Sequence, residues 1–267
     1  MTVIAVSDLH GSTTVLKNLA KMQAKYPDAY TIFCGDYFDG HTHSAAVLRE
    51  IKKQVEDKRA IAILGNHDEM FLAYMDDPAN EELWFMNGGD ETVRHMVYQS
   101  SGIENIDPRS DKARHDMIDG YQDIQEFVRT LPTICVYGRM LFIHAGLDLS
   151  TANPLSDTKA VDRIWIREDY IFRSDRSEAI FAHNPLDYTL VTGHTPTGLI
   201  KGRFDDSPVE VKEKFPRCPI LKISYENECP RYFIDGGVHS GFEENQGNIA
   251  VFNEETGEMI DSIQSRP

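Results

Sequence analysis

Six side chains that can bind metal ions follow apolar, β-branched runs of this chain, at the points where those runs stop. They are Asp8, His10, Asp36, Asn66, His144 and His194. Carboxylate oxygens and imidazole nitrogens are ligands of divalent cations such as Mn, Fe and Zn, and no thiolate stands among them. We predict a site for two divalent ions, with Mn preferred and Fe or Zn as alternatives. One carboxylate must lie between ions held about 3.5 to 4 Å apart, and Asp36 is the predicted bridge.

The formal charges of this predicted site favour a phosphate as its ligand. Two divalent cations carry a charge of +4, the carboxylates of Asp8 and Asp36 carry −2, and the other ligands are neutral. The net charge of +2 favours binding of a dianionic phosphate and a hydroxide. The whole chain is acidic, with 43 acidic and 27 basic residues and a net charge of −16 over 267 residues. Such a field disfavours nucleic acid and anionic membranes as partners. Its four cysteines form no Cys-x-x-Cys pair, so neither a disulfide scaffold nor a thiolate zinc site is indicated.

The elements that must position these donors alternate between strand and helix, which predicts an α/β fold. Strand-like runs cover residues 3–7, 30–34 and 60–64, and helical patterns cover residues 13–26 and 44–57. The second helix is predicted to be capped by Ser44. Strand, helix, strand of this length predicts right-handed parallel crossovers, and in open α/β sheets ligands bind beyond the carboxyl ends of the strands. We therefore expect the donors to share one crevice.

The rest of the chain predicts a helical insertion and then further strands. Residues 70–131 are charged and methionine-rich and are expected to form a helical cap over the site, with the best helical stretches at residues 90–98 and 119–131. Strand-like runs resume at residues 133–137, 140–143, 188–192 and 231–234, and residues 202–219 are predicted to be a mobile, charged excursion. One compact domain over residues 1–267 is expected.

Several motifs carry a resemblance to a known family. They are Asp8-x-His10, Gly35-Asp36-x-x-Asp39, Gly65-Asn66-His67-Asp68, His144-Ala145-Gly146, Gly193-His194-Thr195 and Asp235-Gly236-Gly237. In this order they resemble the calcineurin-like metallophosphoesterase superfamily. Within it the chain is most similar to the phosphoprotein phosphatase branch, which includes bacterial and phage-type serine/threonine phosphatases and symmetrical diadenosine tetraphosphate hydrolases. Residues 84–89 and 164–167 are also similar to segments of those enzymes.

The resemblance implies a fold and a ligand set. The fold would be a two-sheet β-sandwich flanked by helices. One metal ion would be held by Asp8, His10 and Asp36, and the other by Asp36, Asn66, His144 and His194. Pro196 follows Gly193-His194-Thr195 where many other branches carry another histidine, which supports placement in the phosphoprotein phosphatase branch.

One departure from the family pattern concerns the side chains that hold phosphate. The related phosphatases usually read Gly-Asp-x-x-Asp-Arg-Gly, whereas Asp39 is followed directly by Gly40 in this chain. Arg167 matches the second arginine of the pattern, and its guanidinium can hold two phosphate oxygens. His41 or His43 could compensate for the missing arginine, and the alternative for both is a solvated loop position.

The resemblance also implies a mechanism for phosphoester hydrolysis. A water between the two ions, with its pKa lowered toward neutrality, would attack phosphorus while the ions and Arg167 hold the phosphoryl oxygens. His67 follows the ligand Asn66 directly, so its imidazole is expected near the leaving group as the general acid. Asp39 would orient His67 and favour its protonated form. The alternative for His67 is a structural role beside the metal ligands.

Three functions stay open on sequence alone. The leading interpretation is a metal-dependent phosphatase acting on phosphomonoesters or on phosphoserine and phosphothreonine in proteins. The second is a symmetrical dinucleoside tetraphosphate hydrolase with the same metal core and a different pocket, to which Asn87, Gly88 and Gly89 either contribute or serve as a turn between helices. The third is a non-catalytic scaffold, which is disfavoured because no ligand position is lost. A cytoplasmic location is expected because neither a signal peptide nor an apolar run of spanning length is found.

Overall fold

Two five-stranded sheets face each other at the centre of the molecule. The computed structural model describes residues 1–174, 178–212 and 215–264. The strands are β1 (Thr2–Val6), β2 (Tyr30–Phe33), β3 (Ala60–Ala62), β4 (Ile134–Tyr137), β5 (Met140–Ile143), β6 (Thr189–Thr192), β7 (Lys201–Arg203), β8 (Glu210–Lys212), β9 (Leu221–Ile223), β10 (Arg231–Phe233), β11 (Ile249–Asn253) and β12 (Met259–Ile263). The first sheet has the order β12-β11-β1-β2-β3 and the second β4-β5-β6-β10-β9, while β7 pairs with β8 outside both.

Three neighbouring strands of each sheet run parallel, and two strands with antiparallel pairing complete each sheet. β1, β2 and β3 are parallel neighbours in the first sheet, and β5, β6 and β10 are parallel neighbours in the second. Parallel strands bring their carboxyl ends to one edge of a sheet. The polar residues that follow these strands are therefore gathered at one edge of the sandwich.

Successive side chains of β1 point to opposite faces of the first sheet, and both faces are covered by apolar residues. Val3 and Ala5 belong to the apolar cluster between the sheets, where they meet side chains such as Phe142 and Val191 of the second sheet. Ile4 and Val6 point to the other face and belong to the cluster under the helices. Because both faces are covered, the strand reads as a continuous apolar run.

Helices cover the outer faces of the sandwich. They are α1 (Thr13–Lys25), α2 (Ser44–Glu56), α3 (Asn66–Asp76), α4 (Glu81–Met86), α5 (Gly89–Ser101), α6 (Asp111–Gly120), α7 (Gln122–Arg129) and the short α8 (Pro154–Asp157), α9 (Asp162–Trp165) and α10 (Glu168–Ile171). Side chains of α3 to α7, including Trp84 and Met96, share one apolar cluster with α1, α2 and the first sheet. The predicted α/β fold, a two-sheet β-sandwich flanked by helices, is confirmed.

The structure corrects two local predictions. Ser44 is the first residue of α2 and not its cap, since the helix is preceded by His43, whose side chain makes no capping hydrogen bond. The predicted helix at residues 119–131 is wrong at its start, because α6 ends at Gly120 and α7 begins at Gln122. The segment 202–219, predicted to be a mobile excursion, contains most of the antiparallel pair β7–β8, which lies outside both sheets; residues 213 and 214 of it lie outside the described residues.

Besides β7 and β8, three further strands were not predicted from their residue patterns. These are β9, β11 and β12, and the most central of them is β11, which lies antiparallel to β1 inside the first sheet. Its position is set by pairing with residues almost the whole chain away, which local periodicity does not encode. Within the described ranges, no helix is both long and apolar enough to cross a membrane.

Candidate metal centre

The carboxyl ends of the parallel strands converge on one buried polar centre. Asp8 follows β1, Asp36 follows β2, His144 follows β5 and His194 follows β6, while Asn66 is the first residue of α3 after β3. Every one of the six predicted donors is at most 4% exposed. The structure therefore brings together the set that the sequence predicted.

The donor atoms form two groups that share Asp36. One group contains Asp8, His10 and Asp36, the other contains Asp36, His144 and His194, and within each group the ligand atoms lie within 4.8 Å of one another. His10 Nε2 lies 3.9 Å from Asp8 Oδ1 and 3.9 Å from Asp36 Oδ2. On the other side, His144 Nε2 lies 3.3 Å from Asp36 Oδ1.

Asn66 belongs to the second group by position. Its Oδ1 lies 3.1 Å from His144 Nε2. An amide oxygen is a neutral ligand, so it adds a donor without adding charge. The arrangement matches two cation sites that meet at one carboxylate.

Unusual backbone conformations hold these residues in place. Five of the eight non-glycine residues with positive φ in the described ranges are site residues: Asp8 (53°), His10 (45°), Asp36 (57°), Asp39 (68°) and His194 (65°). Each such residue costs of the order of 1 to 3 kcal/mol, and such strain clusters at functional sites. Hydrogen bonds between the two loops oppose it, from Asp8 N to Gly35 O at 3.0 Å and from His10 N to Asp36 O at 3.0 Å.

Two glycines let the backbone come close to the carboxylates. A Cβ at Gly65 would lie 2.2 Å from Asp36 Oδ1, and one at Gly193 would lie 2.1 Å from Asp8 Oδ2. The residues that follow them use this closeness: His67 N donates to Asp36 Oδ1 at 3.0 Å, and the N–H of the residue after Gly193 donates to Asp8 at 3.1 Å. Glycine at these positions therefore allows backbone groups to orient the donors.

Carbonyl groups fix which imidazole nitrogen faces the centre. His10 Nδ1 donates to the Phe38 carbonyl at 2.7 Å and His144 Nδ1 donates to the Cys34 carbonyl at 2.8 Å, which leaves Nε2 of both rings as the ligand atom. His194 Nε2 contacts the Trp165 carbonyl at 3.2 Å, which leaves its Nδ1. Such outer hydrogen bonds set the tautomer and orientation of metal-binding histidines.

Besides Asp39, four carboxyl groups, those of Asp8, Asp36, Asp68 and Asp235, are buried around the centre. Burial and the charge of Asp235 raise the pKa of Asp8 well above its ordinary value. Burial raises the pKa of Asp68 to about 7 and that of Asp235 to about 6. Burial acts in the same direction on Asp36, but His144 and neighbouring histidines outweigh it and hold the Asp36 pKa well below its ordinary value. Bound cations would offset this concentration of negative charge.

The imidazoles respond to the same environment in two ways. Burial and the charge of His67 hold the pKa of His10 well below its ordinary value, and burial and His144 do the same for His194. Both rings are therefore neutral, which is the form that binds a metal. Burial also acts to lower the pKa of His144, but the Asp36 carboxylate raises it to about 9. Metal binding at His144 would release its proton.

His67 and Asp39 form the predicted pair beside the donors. His67 Nδ1 donates to Asp39 Oδ2 at 2.6 Å. Trp84 Nε1 donates to the same oxygen at 2.9 Å and Thr92 Oγ1 donates to Oδ1 at 2.5 Å, so the carboxylate is held from three sides. Burial lowers the pKa of His67, but Asp36 and Asp39 raise it to about 9. Its Nε2 stays 4.0 Å from Asp36 Oδ2, on the side of the donors.

The two predicted substrate-binding residues are placed differently. Arg167 is exposed at the edge of the centre, and its Nη1 donates to the His194 carbonyl at 2.8 Å and to Thr195 Oγ1 at 3.0 Å. Asn87 is the C-cap residue that follows α4, and its Nδ2 donates to the Leu83 carbonyl at 2.8 Å. The structure brings the guanidinium to the centre and ties the amide of Asn87 to its own helix.

Three residues near the centre were not assigned roles from sequence. Asp68 accepts from the backbone N–H groups of Asp36, Tyr37 and Gly65, each at 2.9 Å, and so joins the loop after β2 to the start of α3. The sequence could have indicated this role, because an acidic residue at the third position of a helix often accepts a hydrogen bond from the N–H of the residue that caps the helix. Asp235 could have been found as a further carboxylate after a strand, whereas nothing local marked the third residue, His239.

A groove of about 640 Å³ lies between α3 and α4. Its lining is apolar with two carboxylates: Glu69, Met70, Ala73, Ala79, Asn80, Glu82, Leu83 and Met86. Trp165 connects it to the donors, because its Nε1 donates to Glu69 Oε2 at 2.9 Å and its carbonyl contacts His194.

Comparison with known proteins identifies proteins of similar sequence. A symmetrical bis(5'-nucleosyl)-tetraphosphatase from Janthinobacterium sp. (strain Marseille) is 39% identical over 174 residues, which cover 64% of this chain and 54% of that protein. The chain spans about half the length of the curated relatives it matches.

Solved structures share the fold. A metallophosphoesterase from Sphaerobacter thermophilus is similar with a TM-score of 0.50 and 14% identity, covering 100% of this chain and 89% of that one. The cold-active protein-tyrosine phosphatase of a Shewanella species is similar with a TM-score of 0.54 and 17% identity, covering 98% and 80%. The family model described as calcineurin-like phosphoesterase matches residues 1–224. With its donors in place at the strand ends, this chain belongs to the calcineurin-like phosphoesterase family.

Proposed function

We propose that this chain is a metal-dependent phosphoester hydrolase that acts as a phosphatase. The observation that carries the proposal is the pair of donor groups that share Asp36. A carboxylate common to two sites, with imidazole ligands on both sides, fits a pair of divalent cations better than any single ion. Family membership supports the same reaction class.

The donor set assigns ligands to the two cations. Asp8, His10 and Asp36 would hold one ion, and Asp36, Asn66, His144 and His194 would hold the other. Mn is the first candidate, with Fe and Zn as alternatives, because the donors are carboxylate, amide and imidazole. When bound, the cations supply the nucleophile by lowering the pKa of water and offset the charge of the phosphoryl group.

The other site residues supply proton transfer and orientation. His67 donates from Nε2 to the departing oxygen, since its Nδ1 is held by Asp39 and its pKa of about 9 keeps it protonated near neutral pH. Arg167 binds phosphoryl oxygens from the edge of the centre. Asn87 shapes that edge through its backbone and not through its amide, which is bonded to Leu83.

The groove between α3 and α4, which Trp165 links to the centre through hydrogen bonds, supports phosphoserine and phosphothreonine in proteins as substrates. Its apolar side chains would accept a peptide, while Glu69 and Glu82 oppose the negative charge of a polyphosphate chain. The second candidate is symmetrical hydrolysis of a dinucleoside tetraphosphate. It is favoured by the Janthinobacterium relative, which carries that name.

The deciding experiment is a hydrolysis panel with the Mn-loaded protein. Nitrophenyl phosphate, bis(nitrophenyl) phosphate, phosphoserine and phosphothreonine peptides and diadenosine tetraphosphate are compared by kcat/KM. The Asp36→Asn variant, purified in the same way, reveals any contaminating phosphatase. We expect monoesters and phosphopeptides to be hydrolysed best; a higher kcat/KM for the dinucleotide, split into two equal halves, would favour the second candidate. No Mn-dependent hydrolysis of any substrate would overturn the proposal.

Metal removal tests the cofactor separately. We expect dialysis against a chelator to abolish turnover and Mn to restore it, with two ions per chain by elemental analysis after reconstitution. One ion per chain at saturating Mn would contradict the shared role of Asp36.

A further inference from the structure

We propose that His239 contacts the substrate directly and donates a hydrogen bond from Nε2 to a phosphoryl oxygen. The inference rests on the proposed function of the centre and adds a binding residue to it. The sequence motifs assign His239 no role, and it reaches the centre from the turn that follows β10.

Three imidazoles enclose one small space beside the donors. The ring centroids of His10 and His239 lie 4.7 Å apart, those of His67 and His239 5.1 Å, and those of His10 and His67 4.9 Å. One ring nitrogen of each lies within 4.8 Å of one nitrogen of the others. His10 and His67 are buried, whereas His239 is exposed, so His239 lines the open side from which a substrate arrives.

The Nε2–H of His239 has only a weak partner in the protein. It faces the Asn87 carbonyl at 3.3 Å, which is long for an N–H···O hydrogen bond. Hydrogen bonds to charged oxygens are shorter and about twice as strong as those to neutral ones. A phosphoryl oxygen in the shared space would therefore replace the carbonyl as acceptor.

A stiff turn presents His239 to this space. The 3₁₀ turn Val238–Ser240 lies between Gly237 (φ 70°) and Gly241 (φ 71°). Ser240 Oγ donates to the Gly237 carbonyl at 2.6 Å, and the backbone N–H groups of Ser240 and Gly241 donate to the carbonyls of Gly237 and Val238 at 3.1 Å and 3.2 Å. The backbone around His239 is thus fixed from both sides, and little order has to be gained when substrate binds.

Gly40 explains why this position suits histidine. Gly40 has φ +78°, and an added Cβ would lie 3.2 Å from His239 Cα and 3.3 Å from His10 Cβ. A long side chain at position 40 and the ring of His239 would compete for the same space. Position 40 therefore carries no long basic side chain, and His239 occupies the space beside it. The hydrogen-bond donor to phosphate comes from the turn after β10 and not from the residue after Asp39.

The test compares His239→Ala and His239→Gln with wild-type protein, using inorganic phosphate as the probe. Binding of phosphate to the Mn-loaded protein is measured by calorimetry, together with KM and kcat for nitrophenyl phosphate and the metal content. His115→Ala is the matched control, because His115 is an exposed histidine of α6 whose Nδ1 bonds the Asp111 carbonyl.

We expect His239→Ala to weaken phosphate binding and raise KM by about tenfold, the scale of one hydrogen bond to a charged group. The metal content and thermal unfolding should be unchanged, His239→Gln should restore part of the affinity, and His115→Ala should match wild type. Phosphate affinity within twofold of wild type in His239→Ala, or loss of metal in parallel with affinity, would overturn the inference. Because calorimetry needs no turnover, it decides the role of His239 even if the hydrolysis panel fails; wild-type protein that binds no phosphate would overturn both proposals.

Discussion

Two histidine–carboxylate pairs in this protein have similar contacts and different uses. In the metal centre, His67 Nδ1 lies 2.6 Å from Asp39 Oδ2. Far from it in the sequence, His183 Nδ1 lies 2.5 Å from Glu228 Oε1, but its Nε2 is also taken, by Asp205 Oδ2 at 3.0 Å. A histidine with both nitrogens bonded can tether segments, whereas one with a free nitrogen can transfer a proton.

The surroundings of the two pairs reinforce this difference. His67 is 8% exposed, and its carboxylate is fixed by Trp84 and Thr92. The side chain of His183 is 47% exposed and stacks on Tyr225, with 4.0 Å between ring centroids. A buried pair with one open nitrogen is oriented for chemistry, while an exposed pair adds only local stability.

The largest difference in activity is expected between substitutions of Asp36, which faces the free Nε2 of His67, and of Asp205, which is bonded to Nε2 of His183. Asp36→Asn should lower Mn-dependent turnover by about a thousandfold or more, the scale on which one group that stabilises developing charge acts. It should also lower the metal content, because Asp36 belongs to both donor groups. Asp205→Asn should stay within twofold of wild type. A near-normal rate in Asp36→Asn, measured with elemental analysis alongside, would remove its bridging role.

Replacing the histidines themselves tests the proton transfer. His67→Asn should lower kcat by about 10² to 10⁴-fold for an alkyl phosphate, whose leaving group needs a proton. The loss should be far smaller for nitrophenyl phosphate, because nitrophenolate leaves without one. His183→Asn should leave both rates unchanged. Equal losses on the two substrates in His67→Asn would exclude the acid role.

The carboxylate partner of His67 should affect both rate and pH profile. Asp39→Asn should lower kcat by about 10 to 100-fold, as for other residues that orient a functional group. Asp39 helps to raise the pKa of His67 to about 9. Without that charge the pKa falls, so His67 loses its proton at lower pH and the alkaline limb of the rate profile moves to lower pH. An unmoved limb, with Glu228→Gln as the control, would show that another group sets it.

The smallest effect is expected from the exposed pair, on stability alone. Burial acts to lower the pKa of His183, but Glu228 and Asp205 raise it above its ordinary value. Because the pKa of His183 is higher in the folded state, its protonated form stabilises the protein. This stabilisation is complete below the unfolded-state pKa of about 6.5 and is lost as the pH rises through the folded-state pKa. His183→Asn should therefore lower the unfolding free energy by about 0.2 to 1 kcal/mol near pH 6 and by less at higher pH. Urea unfolding at several pH values measures this; a loss that does not depend on pH would contradict it.

Much of the site could be predicted because its donors lie next to their strands. Asp8, Asp36, His144 and His194 each follow a strand that was visible as an apolar run, and parallel strands bring their ends together. The orientation of these donors could not be predicted in the same way. It depends on left-handed backbone at Asp8 and Asp36 and on hydrogen bonds between loops, which no local pattern specifies.

The chain's own residues determined the type of chemistry, since carboxylate, amide and imidazole side chains at strand ends carry their metal preference wherever they are placed. Tertiary structure alone decided which of the remaining groups join them. Asp68 ties two loops together, Asn87 turns its amide away, and His239 arrives from a turn near the other end of the sequence. Contacts between distant segments depend on how the sheets and helices pack, and side-chain identity does not encode that packing residue by residue.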